Sequence, residues 1–122
     1  MVQPEIRMSE PITVTQSDLG RAAIVHVSGE IDMSTSETMA ERLLGRLAER
    51  PPVLVIDLSG VEFLGSAGLS VLIEASQQAE QGATTLRIVA TAPPALRPLE
   101  ISGLLSVLPV CGRPAGSCLR CR

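Results

Sequence analysis

Residues 53–75 read VLVIDLSGVEFLGSAGLSVLIEA, and the fold is organised around them. Val53 to Ile56 are four apolar residues in a row, three of them β-branched, and Asp57-Leu58 follow. A strand buried on both faces reads this way, as at the centre of a parallel sheet. Ser59 to Gly65 reads as a loop. From 66 to 81 apolar residues recur at helical spacing, with Leu69, Leu72, Ile73 and Ala79 inward, and Gly82 ends the helix.

Upstream, residues 12–15 alternate like a half-buried strand, and 22–28 (AAIVHVS) form a second, nearly continuous apolar run. Asp18 and Gly20 lie between them as turn signals, so the pair reads as a hairpin. Gly29 to Asp32 leaves the second strand as a loop. Residues 34–50 carry a helical stripe of Met39, Leu43 and Leu47, flanked by Ala40 and Leu44. Ser34 or Ser36 suits its start, and Pro51-Pro52 stops it. Downstream, 85–90 reads as a strand. Pro93-Pro94 opens a short helix through Ile101, irregular at Pro98, and 105–110 reads as a last edge strand.

The order β-β-α-β-α-β-α-β predicts an α/β domain with right-handed crossovers. The expected sheet is mixed but mostly parallel, with four or five strands and about three main helices. One domain is expected over 12–110, between a flexible N-terminus (1–11) and a flexible tail (111–122) that carries Cys and Arg.

Composition narrows the function. The chain has 122 residues, 45% of them hydrophobic, with one Phe, no Tyr and no Trp. Base-stacking platforms need aromatic faces, and a phosphate backbone needs a basic stripe. The net charge is −3 and the arginines are scattered, so nucleic acid is not the expected partner. There is no Lys, which excludes a P-loop lysine and Schiff-base chemistry. No apolar run approaches the roughly 20 residues that span a bilayer, and the first residues lack the apolar core of a signal peptide. The expectation is a cytoplasmic protein with no membrane partner.

Ser66 opens the second helix and has three readings. It is a residue type that caps helices. As a nucleophile it fails the G-x-S-x-G elbow, because Leu64 stands where glycine is needed and the chain's one His, His26, lies mid-strand. As a phosphorylation site it is physically sensible: a helix N-terminus accommodates phosphate, and the added charge would disturb a docked partner.

Three separated motifs then carry a resemblance. The stretch DLSGVEFLGSAGLSVL, the Gly29-Glu30-Ile31-Asp32 loop followed by Thr35 and Glu37, and PALRPLEISGL from Pro94 to Leu104 together resemble the STAS domain family over roughly 12–110. They most resemble the bacterial anti-sigma-factor antagonists in that family. The resemblance implies the β-β-α-β-α-β-α-β fold. It implies a non-enzymatic protein that binds an anti-sigma factor, itself an ATP-using serine kinase, so that a sigma factor is released and transcription follows. It implies phosphorylation of Ser66 as the off-switch and a phosphatase that restores binding. The partner surface it implies comprises Gly29, Glu30, Asp32, Ser34, Gly65, Ser66, Ala67, Gly68, Leu69 and Ser70. Two positions depart from the family pattern: Gly65 replaces the usual Asp, and Ala67 the frequent Ser.

Cys111, Cys118 and Cys121 give C-x6-C-x2-C, one ligand short of a closed zinc site, so incidental thiols are expected rather than a metal. No cofactor is expected, since no Gly-rich phosphate loop follows a strand. The alternatives to a phosphorylation-gated binding protein are a STAS scaffold whose serine is never modified, a small-ligand sensor domain, and a hydrolase using Ser66.

Overall fold

The computed structural model describes residues 12–111. Strand β1 (Ile12–Leu19) and strand β2 (Ala22–Ile31) form an antiparallel hairpin. Its turn is only Gly20-Arg21, because Leu19 already pairs with Ala22 and Gly20 takes φ +61°. Helix α1 (Ser36–Ala48), strand β3 (Val53–Leu64), helix α2 (Ser66–Gln81), strand β4 (Thr85–Val89) and helix α3 (Pro93–Ile101) come next along the chain. A 3-10 turn (Leu104–Ser106) and strand β5 (Val110–Cys111) close the described domain. The sheet order is β1-β2-β3-β4-β5, parallel from β2 onward. The α/β class and the five-stranded mixed sheet with three helices are as expected.

Each crossover steps one strand in the same direction. Right-handed connections therefore put all three helices on one face. Burial agrees: Val25 and Val27 of β2, Leu54, Ile56 and Leu58 of β3, and Leu86 and Ile88 of β4 are buried. The alternating residues Ile24, His26, Val55, Asp57, Arg87 and Val89 are only half-buried. Met39, Leu43 and Leu47 of α1, Leu72, Ala75 and Ala79 of α2, and Ala95 and Leu99 of α3 complete the one core.

Several element bounds differ from the sequence expectation. Strand β3 does not stop at Leu58. It continues through the supposed loop to Leu64, and β2 runs on to Ile31, because Gly29, Glu30 and Ile31 pair with Val61, Phe63 and Leu64. Two register shifts, between His26 and Ser28 and between Gly29 and Glu30, absorb the irregularity, with Gly29 at φ +99°. Ile73 of α2 is exposed rather than inward. The face that packs runs Gly68, Val71, Leu72, Ala75, Ala79, and Ile73 falls off its edge. The expected strand at 105–110 shrinks to two residues. Gly103 (φ +81°) starts a 3-10 turn there, and Pro109 contributes only its carbonyl, which accepts from Ile88 N at 2.9 Å. Cys111 belongs to β5 rather than to a tail; it is buried and disulfide-bonded. Cys118 and Cys121, with the flexible segments expected at either end, lie outside the described residues.

Candidate functional site

Strand β3 ends at Leu64, and the amide of Gly65 donates to the Ile31 carbonyl at 2.9 Å. That bond fastens the start of α2 to the end of β2. The Gly65 carbonyl accepts from Gly68 N at 3.0 Å and Leu69 N at 3.1 Å, so Gly65 is the N-cap and Ser66 the first helical residue. Ser66 is exposed, and among the described residues its hydroxyl makes no hydrogen bond. The hydroxyl does not cap the helix. It stands in solvent at the positive end of a 16-residue helix.

The other wall of the corner is Gly29 to Ser34. Glu30 is exposed, while Ile31 is fully buried and anchors the segment. Asp32 organises the entry to α1. Its Oδ1 accepts from Ser34 N at 2.9 Å, Ser34 Oγ at 2.8 Å and Thr35 N at 3.2 Å, and its carbonyl accepts from Ser36 N at 2.8 Å. The Ser34 hydroxyl bond, with the Ser34 and Thr35 amides behind it, holds the Asp32 carboxyl below its ordinary value. Buried Thr35 donates its hydroxyl to the Glu30 carbonyl at 2.8 Å and accepts from Asp32 N at 2.9 Å. This loop is pre-organised by hydrogen bonds between its own side chains and backbone. Asp32, and neither Ser34 nor Ser36, supplies the side-chain oxygen where the helix begins.

The remaining candidate residues divide by exposure. Ser70 is exposed one turn along α2, Ala67 and Leu69 are half-buried, and Gly68 faces inward. A Cβ at Gly68 would stand 2.6 Å from Leu64 Cδ1 and 2.7 Å from Ile31 Cγ2, so the missing side chain lets α2 close onto β2 and β3. Two residues that sequence reasoning did not single out stand at the same corner: Met33, 85% exposed, and Phe63, 51% exposed. The signal available was local: Met33 stands between Asp32 and Ser34, and Phe63 follows Glu62, each an apolar residue beside a polar one.

The helix-free face holds a second polar group that was not foreseen. His26 Nδ1 lies 3.0 Å from Asp57 Oδ2, and Ser17 Oγ lies 3.3 Å from His26 Nε2. Asp57 accepts only, so Nδ1 carries the proton there. Asp57 Oδ1 also accepts from Ser59 N at 3.0 Å and Ser59 Oγ at 2.7 Å. Burial pushes the Asp57 carboxyl up, but the Ser59 and His26 contacts outweigh it and leave it below the ordinary value. Beside this chain of polar groups is a cavity of about 350 Å³ lined by Ile24, Val55, Val89 and Thr91 as well. The order Ser–His–Asp has the polarity of a hydrolytic triad. Ser17, however, sits within a regular strand paired along its whole length, not on a strained strand-to-helix turn. His26 is engaged with Ser17 and Asp57, and no hydrogen bond links it to Ser66.

With this geometry in place, comparison with known proteins gives consistent results. The family model described as the STAS domain matches residues 10–114. The anti-sigma-F factor antagonist RsfB of Mycobacterium tuberculosis is 40% identical over 99 residues, 80% of this chain and 80% of that one. The crystal structure of an anti-sigma factor antagonist from Mycobacterium paratuberculosis superposes with a TM-score of 0.79 at 38% identity, covering 84% of this chain and 86% of that one. The Bacillus cell fate determinant SpoIIAA in its phosphorylated form shares the fold alone, with a TM-score of 0.65 at 13% identity over 84% and 93% of the two chains.

Proposed function

The chain belongs to the STAS domain family, and on that footing we propose that it is an anti-sigma-factor antagonist gated by phosphorylation of Ser66. It works by binding, not by catalysis. Its partner is an anti-sigma factor with serine-kinase activity, met in the cytoplasm, where sigma factors act. The partner surface is the corner formed by Gly29, Glu30, Asp32 and Ser34 on one wall and Gly65, Ser66, Ala67, Gly68, Leu69 and Ser70 on the other. A phosphatase completes the cycle.

The observation that carries this reading is the state of the Ser66 hydroxyl. It is exposed, makes no hydrogen bond among the described residues, and belongs to the first residue of a 16-residue helix. A kinase can reach it without unfolding anything, and a phosphate there is stabilised by the helix terminus rather than disruptive to it. Phosphorylation thus changes the docking surface and leaves the domain intact. The names of the relatives support the partner class, since both mycobacterial proteins are anti-sigma factor antagonists. His26, turned to Asp57 and Ser17, offers Ser66 no general base, which supports a binding role over hydrolysis.

The test is intact mass after incubation with ATP and the purified anti-sigma factors of the organism that encodes this chain, beside a Ser66→Ala control. One added phosphate, absent from the control and accompanied by loss of binding, is the expected outcome. Binding without any phosphate gain would reduce the protein to an ungated scaffold.

A further inference from the structure

We infer that the Phe63 ring is the anchor by which this corner grips its partner, that Gly65 is the seat of that ring, and that the anti-sigma factor meets it with an apolar socket rimmed by arginine or lysine. The inference rests on the antagonist reading above.

It begins with a glycine that its backbone does not require. Gly65 has φ −88° and ψ −179°, an extended conformation open to any residue. What a side chain would meet there is the Phe63 ring: a Cβ would stand 3.1 Å from Cε2 and 3.5 Å from Cζ. The Ile31 carbonyl oxygen, at 3.5 Å, is an ordinary contact. The glycine therefore makes room for the ring, and the ring lies over the residue next to Ser66.

Phe63 is the one Phe of a chain without Tyr or Trp, and it is 51% exposed. Core packing does not account for a half-exposed ring held in a defined place. Rigid aromatics at the centre of a surface patch are the residue type that dominates binding energy when a partner desolvates them. Met33, 85% exposed on the loop after Ile31, adds a flexible apolar contact. The surroundings are acidic: segments 29–34 and 59–70 contain Glu30, Asp32 and Glu62 and no arginine. An apolar centre with a carboxylate rim is complementary to an apolar socket with a basic rim. This arrangement also says how phosphate acts. A basic rim would attract a phosphate, so charge repulsion is not the switch. A phosphate on Ser66 would have to be dehydrated beside the socket that receives the ring, and that is the unfavourable step.

The experiment is titration calorimetry of the full chain against two sets of purified protein: the anti-sigma-F factor of Mycobacterium tuberculosis and every anti-sigma factor of the source organism. The variants are Phe63→Ala, Gly65→Ala, the double variant, Glu62→Gln and Ser66→Glu. Phe63→Ala is expected to weaken binding by roughly 10- to 100-fold with its unfolding midpoint unchanged. Gly65→Ala is expected to weaken binding in the parent chain and to add nothing in the Phe63→Ala background, because its effect passes through the ring. Glu62→Gln is expected to flatten the salt dependence of association. Phe63→Ala binding as tightly as the parent, or a Gly65→Ala loss that persists without the ring, would overturn the inference. If Ser66→Glu still abolishes binding in that case, the antagonist reading stands. A parent chain that binds none of these proteins would remove both.

Discussion

Gly68 shows how tightly single residues are constrained at this site. A methyl group there would collide with Leu64 and Ile31, both of them core residues. Alanine is ordinarily preferred to glycine in a helix by about 1 kcal/mol, yet overpacking costs about 1–3 kcal/mol. Gly68→Ala is therefore expected to be destabilising by about 1–2 kcal/mol in urea unfolding, against the propensity scale. Asp57 gives a prediction in pH. Its carboxyl lies below the ordinary value of 3.8 in the folded chain, so the unfolded chain takes up the proton first as pH falls. Its contribution is whole above that value and is lost as pH drops through the folded one. The stability gap between the parent and Asp57→Asn should accordingly narrow on acidification below about pH 4 in pH-resolved unfolding curves. Residue legibility in the sequence was uneven. Ser66 and Asp32 could be singled out because their motifs have fixed spacing. The pairing of His26 with Asp57 could not, since it depends on a parallel register that places those two opposite each other. The seat of Phe63 over Gly65 depends on a side-chain torsion that no pattern encodes.

At the level of elements, the stripe of α1 was legible because Met39, Leu43 and Leu47 recur at intervals of four and all three are buried. Truncating its centre tests the core directly: Leu43→Ala, at a fully buried position, is expected to cost about 2–5 kcal/mol in chemical denaturation. Strand β3 was legible only in its first half. Up to Leu58 its buried residues alternate, but beyond the shifts against β2 the buried positions are Val61 and Leu64, three apart. A period of three belongs to no regular strand, and Ser59-Gly60 invites a loop reading. The structure resolves this because β2 supplies an equally irregular partner. The two bulged ends pair with each other beyond the last pair of β3 with β4, and carry the corner proposed for docking.

In the molecule as a whole, the alternation of strands and helices was enough to give a mostly parallel sheet, whereas the one-sided helical layer follows from the observed strand order, in which every right-handed crossover steps the same way. The central position of β3, between β2 and β4, was legible separately, in its unbroken apolar run from Val53 to Ile56. Hydrogen exchange should reflect this order. Amides of Val55 and Ile56, on a strand paired at both edges, are expected to exchange slowest, and those of the two-residue strand β5 among the fastest of the sheet. Uniform protection across all five strands would contradict it.

The hairpin register has a practical consequence for anyone who handles the protein. Ile12 pairs with Gly29, so the first described residue lies alongside the wall that carries Glu30 and Asp32. Cys111, by contrast, is level with Val89 on the opposite edge of the sheet, and Val89 is level with Asp57, well short of Leu64. A purification handle, a fluorescent reporter or a surface linker joined directly at Ile12 would start beside the corner proposed to receive the partner. The same addition joined directly at Cys111 would start away from that corner, and if the corner is the docking surface, pull-downs with the two arrangements are expected to recover different amounts of the anti-sigma factor.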